Sequence, residues 1–238
     1  MLRCSHLVHK VDDIRAAVRD LTELGFTVEY GSDPAKAHNA LIWFAAGPFL
    51  EFYQLHPAAR LLRGPMGLAF GRAAGQRLAR WAESGEGWRD LALETDALTL
   101  DATRADLRAA GLPVSRVIKG CRTRPDGQPV RYQFLAPRPA HLPFVVSAYD
   151  PPQRPAQVTH PNGALGISTV RYGVAEADRA RFAALIGPDD PWLRTEPAPR
   201  TGPLRVELAG LAAELDPEKL HGAAFAPATT RTEGRVQA

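Results

Sequence analysis

The chain has 238 residues, of which 45% are hydrophobic and 23% charged, enough apolar content for one substantial core or two small ones. Its formal charge of +3 comes from 29 basic and 26 acidic residues that are scattered along the sequence, with no basic stripe interleaved with aromatic residues. No apolar stretch approaches the roughly 18 residues that cross a bilayer, and two cysteines do not form a disulfide framework. We therefore expect a cytoplasmic protein that binds neither nucleic acid nor membrane.

The first 56 residues predict a strand, a helix and three further strands. Alternate residues of 4–11 differ in polarity, so a strand here would have two different faces, as a half-buried strand does. His6 points to one of these faces. Either Asp12 or Asp13 caps a helix with apolar residues at helical spacing, and Gly25 sits where such a helix ends. The extended stretches that follow cover residues 26–30, 39–45 and 48–55.

His6 and Glu51 are the first candidate site residues. If the four strands form one curved sheet, side chains from the first and fourth strands meet on its concave face, where an imidazole and a carboxylate suit a divalent ion. A carboxylate flanked by Leu50 and Phe52 is costly to bury unless it is paired or metal-bound. The alternative is structural: His6 bonds a backbone carbonyl, and Glu51 pairs with His6 or an arginine. His9 lies on the opposite parity and is interpreted as structural.

Residues 88–150 repeat the order of the first module. The alignment places Leu21, Gly25 and Val28 on Leu107, Gly111 and Val114. In this register the counterpart of His6 is Ala92, and the strand equivalent to that of Glu51 reads Leu-Pro-Phe around Pro143. The second module is therefore predicted to lack both ligands.

The predicted fold class is α+β, with paired βαβββ modules that form an open curved-sheet barrel and an incomplete third module. Glu207 lies where a fourth-strand glutamate of that third module would be. The incomplete module leaves an unpaired strand edge, which a second copy of the chain could cover in a homodimer. The predicted division is a first module at 1–56, a helical connector at 57–87, a second module at 88–150, the incomplete module at 151–220 and a disordered tail at 221–238.

The order of these motifs resembles the vicinal oxygen chelate superfamily, which includes glyoxalase I, extradiol dioxygenases and bleomycin-resistance proteins. The residues that carry the resemblance are His6, Val11, Asp13, Ile14 and Glu51. The runs at 37–41, 122–127, 142–146 and 160–164 look more narrowly like a bacterial glyoxalase-like domain family. The resemblance covers roughly residues 1 to 210.

The resemblance implies that His6 and Glu51 are two ligands of a divalent metal, with Zn, Fe, Mn and Ni all compatible with such donors. The candidates for the remaining metal ligands are Glu207, His160, His38 and water. Glu51 or Glu207 would serve as the catalytic base.

Substrate-binding residues are predicted in two loops. His38 and Asn39 precede a strand and form either a capped turn or, as the resemblance implies, part of a ligand pocket. Arg122 and Arg124 flank a hairpin turn that is either a solvated loop or an anion-binding loop, with Arg131 as a candidate inward-facing side chain on the next strand.

Three functions remain open on the sequence. The first is a lyase or dioxygenase type of enzyme that acts on a small oxygenated metabolite through a divalent metal. The second is a metal-free protein that binds or sequesters a small molecule in the manner of the bleomycin-resistance proteins. The third is a vestigial site in a structural or regulatory module.

Overall fold

The computed structural model of the chain describes residues 2–187, 189–211 and 213–228. Its first part follows the predicted order of one strand, one helix and three strands. The bounds are Arg3–Val11 for β1, Ile14–Glu23 for α1, Glu29–Tyr30 for β2, Asn39–Ile42 for β3 and Phe49–Gln54 for β4. The strand predicted from residue 26 is found only at its last two residues, because the N–H of Phe26 still bonds the carbonyl of Leu21 at the end of α1.

Asp13, rather than Asp12, caps α1. Its carboxylate accepts hydrogen bonds from the backbone N–H groups of Arg15 and Ala16, at 2.8 and 3.2 Å. The helix ends before Gly25, whose φ of 80° is a left-handed conformation that favours glycine. The buried residues Ile14, Ala17 and Leu21 of α1 pack in the main core on the outer face of the sheet.

A helical connector and a second set of strands follow, as the internal repeat predicted. The connector contains a 3₁₀ turn at Pro57–Leu62, α2 at Arg63–Phe70 and α3 at Arg72–Trp81. The second set consists of β5 at Gly87–Glu94, α4 at Asp101–Ala109, β6 at Ile118–Thr123, β7 at Pro129–Leu135 and β8 at Phe144–Val146. β6 begins only at Ile118, because Val114 forms an isolated bridge with Pro137.

The two sets join in one eight-stranded sheet with the order β2-β3-β4-β1-β5-β8-β7-β6. β1 and β5 lie antiparallel at its centre, and each is parallel to the last strand of its own set, β4 or β8. The sheet curls into an open half-barrel, which confirms the predicted fold class. Equivalent strands therefore lie on either side of a central line between β1 and β5.

The third segment forms a separate four-stranded sheet. It contains β9 at Gly166–Val174, α5 at Arg179–Ala183, β10 at Leu193–Pro197, β11 at Gly202–Ala209 and β12 at Phe225–Pro227, in the sheet order β10-β9-β11-β12. Its first strand, β9, lies between β10 and β11, so the strand order differs from that of the two modules. The predicted disorder of the tail is wrong at β12, which pairs with β11. Residues 229–238 of that predicted tail lie outside the described residues.

The main hydrophobic core lies between the outer face of the eight-stranded sheet, α1 and the four-stranded sheet. Leu7, Leu21 and Val206 represent these layers. His9 also faces this side, against Phe52 and Trp88, so its predicted outward parity is confirmed. No helix among the described residues is long and apolar enough to span a membrane. The core leaves the concave face of the sheet free for a cavity.

Candidate ligand-binding site

A cavity of about 270 Å³ lies on the concave face of the half-barrel. Most of its wall is apolar or aromatic, and its polar groups come mainly from one side. The apolar and aromatic lining consists of Val8, Leu41, Phe49, Tyr53, Leu55, Leu78, Trp81, Tyr132, Phe134, Phe144, Val146 and Tyr149. The polar lining consists of His6, His38, Asn39, Glu51, Gln54, Arg122 and Gln153. This combination of an apolar body and a few convergent polar groups is typical of small-molecule sites.

His6 lies at the polar end of the cavity, on β1. Its ring stacks on Phe49, with centroids 4.5 Å apart, and contacts the edge of Phe144 at 5.7 Å. Only 2% of its surface is exposed. Burial disfavours the imidazolium and lowers the pKa of His6 to about 3. The ring is therefore neutral at physiological pH and held in one orientation.

Glu51 meets His6 across the parallel pair β1 and β4, as the strand spacing predicted. Its Oε2 lies 3.5 Å from His6 Nε2, and its Oε1 accepts a 2.8 Å hydrogen bond from Asn39 Nδ2. Burial raises the pKa of Glu51, opposed in turn by the Asn39 hydrogen bond and by the charges of Arg122 and His38. The side chain keeps 25% of its surface, so it remains accessible from the cavity.

Arg122 bridges the two edge strands of the half-barrel. Its guanidinium donates to the carbonyl of Gly31, directly after β2, and to Oε1 of Gln153. Both acceptors are neutral, so these contacts position the guanidinium without cancelling its charge. Gln153 lies in the linker Pro-Pro-Gln-Arg-Pro at 151–155, between β8 and β9, and carried no sequence signal of its own. The bridge draws the open sides of the half-barrel together beside Glu51.

The second half of the sheet supplies no matching polar pair. His6 pairs with Phe49 and Val8 with Glu51 across β1 and β4. The corresponding pairs across β5 and β8 are Ala92 with Phe144 and Glu94 with Val146. Ala92 is thus the predicted counterpart of His6, but the counterpart of Glu51 is Val146 and not Pro143. The sequence alignment went wrong there because it matched Leu-Pro-Phe at 142–144 with Leu-Glu-Phe at 50–52, whereas Phe144 begins β8 as Phe49 begins β4.

His160 does not lie at the cavity, contrary to the metal-ligand prediction. Its Nδ1 accepts a 3.0 Å hydrogen bond from the N–H of Thr27, and its Nε2 contacts the carbonyl of Trp43 at 2.9 Å. Both ring nitrogens are therefore used to join the third segment to the first module.

Glu207 is also remote from the cavity, because β11 belongs to the other sheet and runs antiparallel to β9. Its carboxylate accepts a 2.8 Å hydrogen bond from Arg171 Nε, with Arg205 3.5 Å away. The structure thus places Glu207 in a structural ion pair, and the predicted roles as ligand and base are wrong.

The predicted substrate-binding residues separate into two groups. His38, Asn39 and Arg122 line the cavity. Arg124 lies on the hairpin beyond it and pairs with Asp126 at 3.1 Å, while Arg131 is exposed on β7. The inward-facing residues of β7 are instead Tyr132 and Phe134, whose period-two spacing with each other was the signal that sequence reasoning overlooked.

The paired βαβββ half-barrel defines a protein of the vicinal oxygen chelate superfamily. A family model described as a glyoxalase-like domain matches residues 4–185, and the chain belongs to this family.

Two solved structures share the fold. A hypothetical protein from Staphylococcus aureus is 15% identical, with a TM-score of 0.65 over 96% of this chain and 100% of that chain. The Mn(II)-bound glyoxalase from Novosphingobium aromaticivorans is 13% identical, with a TM-score of 0.52 over 88% of this chain and 66% of that chain. No curated protein matches this sequence.

The donor set of this chain does not fit a resident metal ion. His6 and Glu51 supply two ligands, whereas catalytic zinc sites take three from the protein. The equivalent positions Ala92 and Val146 are apolar, and no cluster of three histidine, cysteine, aspartate or glutamate side chains suited to a metal occurs among the described residues. Of the predicted completions, His160 and Glu207 make other contacts away from the cavity, and His38 lines the cavity without forming such a cluster with His6 and Glu51.

Proposed function

We propose that this glyoxalase-like protein is a metal-independent binder of a small molecule with an aromatic or other apolar body and an oxygenated polar group. The observation that carries the proposal is the division of the cavity. Aromatic and aliphatic side chains line most of it, while His6, Glu51 and Asn39 form a polar head on one side. A ligand would place its oxygenated group at this head.

We favour binding over metal catalysis because the polar groups of the cavity lie on one side of it. Two donors leave most of the coordination shell of a divalent ion without protein ligands, so retention of a metal is expected to be weak. The aromatic wall, in contrast, offers a large area for burial of an apolar ligand and does not depend on a metal.

Arg122, Gln153 and His38 are proposed to enclose the ligand near the head. Arg122 is held by neutral acceptors and stands close enough to Glu51 to oppose the rise in its pKa. An acidic ligand group near Arg122 would gain a charge-assisted hydrogen bond.

A second candidate function is proton transfer by Glu51. A carboxylate whose pKa is raised by burial is a better base towards a weakly acidic C–H next to a carbonyl than a solvated one. If a bound ligand carries such a proton, it should exchange with deuterium from D₂O. Glu51→Gln should then abolish exchange while ligand binding remains measurable.

The test of the main proposal combines metal analysis with a thermal-shift screen of phenols, catechols and 2-oxoaldehydes. We expect no near-stoichiometric divalent ion in the purified protein, and stabilisation by at least one aromatic compound in metal-free buffer. Val146→Phe, which fills the cavity, should remove that stabilisation, whereas the matched surface variant Glu29→Gln should keep it. A near-stoichiometric ion lost in both His6→Ala and Glu51→Ala would overturn the metal-independent assignment.

Homodimer formation, a cytoplasmic location and the module boundaries at 1–56, 57–87, 88–150 and 151–220 remain predictions. Sedimentation at several protein concentrations is the direct measurement for the dimer.

A further inference from the structure

A bulge in β1 places a serine beside the ring of His6. Cys4 pairs with Leu93 and His6 pairs with Ala92, so Ser5 is one extra residue between consecutive pairs. Neighbouring side chains on a regular strand point to opposite faces, but a bulge re-aims them. As a result, Ser5 Oγ lies 3.1 Å from His6 Nδ1 although the two residues are adjacent in sequence.

Ser5 in turn contacts Glu94, the last residue of β5. Ser5 Oγ lies 2.7 Å from Glu94 Oε2, and the other oxygen, Oε1, accepts a 3.0 Å hydrogen bond from Arg3 Nε. The ion pair with Arg3 fixes the carboxylate in place. A continuous chain of contacts thus runs from Arg3 through Glu94 and Ser5 to the ring of His6.

The chemistry of these groups determines the direction of each hydrogen bond. An ionised carboxylate only accepts, so the single O–H of Ser5 is donated to Glu94. Ser5 Oγ is then left as an acceptor, and His6 must donate to it from Nδ1–H. In a neutral imidazole the other nitrogen, Nε2, carries the lone pair.

The lone pair of His6 Nε2 faces the cavity together with an oxygen of Glu51. Asn39 donates to Glu51 Oε1, which leaves Oε2, 3.5 Å from His6 Nε2, without that donor. Two hydrogen-bond acceptors therefore converge at the head of the cavity.

We propose that Ser5 and Glu94 are positioning residues that hold His6 in its Nδ1–H tautomer, so that the cavity head selects ligands presenting a hydroxyl or N–H donor. The consequence for selectivity rests on the proposed binding function, whereas the tautomer does not. A ligand hydroxyl placed between His6 Nε2 and Glu51 Oε2 would satisfy acceptors that a carbonyl, ether or halogen would leave unpaired.

The tautomer is measured by ¹⁵N NMR of His6, because protonated and unprotonated ring nitrogens have distinct shifts. In the wild type we expect Nδ1 protonated and Nε2 unprotonated. In Glu94→Gln, Arg3 should hold the amide oxygen, so the amide nitrogen would donate to Ser5. Ser5 would then donate to His6 Nδ1, and the proton should move to Nε2.

Ser5→Ala and a matched control complete the set. Ser5→Ala removes the acceptor of Nδ1–H, so the Nε2–H form should gain population because it can donate to Glu51. Ser115→Ala removes a serine that is equally buried, with 2% exposure, but lies outside the chain of contacts. Its His6 spectrum should match the wild type. An Nε2–H ring in the wild type, or an unchanged Nδ1–H ring in a folded Glu94→Gln protein, would overturn the positioning role.

The ligand preference is tested with 2-naphthol and 2-fluoronaphthalene, which have similar shapes but differ in the donor. We expect 2-naphthol to bind wild type about tenfold or more tightly, the size of one hydrogen bond to a charged acceptor. Glu94→Gln should reduce this ratio. Equal affinities in the wild type would overturn donor selection. Absence of binding by both probes in a protein with the Nδ1–H tautomer would contradict the proposed cavity function and leave the positioning role intact.

Discussion

Glu51 and Val146 occupy equivalent positions in the two halves of the eight-stranded sheet. Glu51 pairs with Val8 across β4 and β1, and Val146 pairs with Glu94 across β8 and β5. The repeat thus places a carboxylate on one side of the cavity and an isopropyl group on the other. Both halves of the sheet keep the same strand arrangement, but the polar cavity residues lie mainly in the first half. The cavity therefore has one polar and one apolar side.

Glu51→Gln should raise the free energy of unfolding at neutral pH. Burial raises the pKa of Glu51, so ionisation of this side chain costs stability in the folded protein. Below the ordinary glutamate pKa of 4.5 the wild-type side chain is protonated and this loss of stability is absent. The loss develops as the pH rises through the higher pKa that Glu51 has in the folded protein. The advantage of Glu51→Gln, measured by urea unfolding, should therefore be present at pH 7 and vanish below about pH 4. Exposed Glu29→Gln should show no such trend, and an advantage independent of pH would contradict the burial cause.

The sequence predicted the repeated strand and helix order because periodicity is a local property. Asp13 and Gly25 bound α1 by capping chemistry, and the alternation of His6 with Leu7 sets the two faces of β1. The strand order of the third segment could not be obtained in this way. It depends on which edges pair over long distances, so Glu207 looked like a fourth-strand residue although β11 lies in the other sheet.

The candidate site was predictable to the extent that it lies on two strands of one module. His6 and Glu51 follow from spacing, but the roles of Ser5 and Gln153 depend on a bulge and on the path of a linker. His160 illustrates the converse: its run at 160–164 resembles the family, yet both of its ring nitrogens serve the packing of the chain. Motif chemistry identified candidates, and only the tertiary contacts separated them.

Acid should destabilise the protein through two buried histidines. Burial lowers the pKa of His6 and of His9 to about 3, while both titrate near 6.5 in the unfolded chain. Unfolding therefore takes up protons, and the stability present above pH 6.5 is lost as the pH falls towards 3. Each histidine should remove about 2 kcal/mol between pH 7 and pH 5. His9→Gln should lower the pH dependence by about that amount, whereas exposed His56→Gln should leave it unchanged; equal slopes for His9→Gln and wild type would refute the assignment.

Arg77 and Arg80 both approach Asp90, but the two arginines should differ in their effect on stability. Arg77 is buried, donates to Asp90 and donates to the carbonyl of Leu142, whereas Arg80 stands 3.7 Å from Asp90 with 21% of its side chain exposed. Arg77→Met would leave the carboxylate of Asp90 buried without its main partner and should cost about 3 to 5 kcal/mol. Arg80→Met should cost less than about 1 kcal/mol. Denaturant unfolding of the two variants measures the difference, and equal losses would contradict the ranking.

Gly120→Ala should alter the cavity from outside it. Gly120 on β6 lies opposite Tyr132 on β7, and a Cβ at this position would come within 2.5 Å of the tyrosine ring. The ring is rigid and lines the cavity, so it must move, at a cost of about 1 to 3 kcal/mol in unfolding free energy. Affinity for an aromatic ligand should fall in parallel. The matched change Gly166→Ala meets no atom within 4 Å and should leave both quantities unchanged. Calorimetric titration and denaturant unfolding of both variants test this, and wild-type affinity in Gly120→Ala would show that Tyr132 does not shape the binding surface.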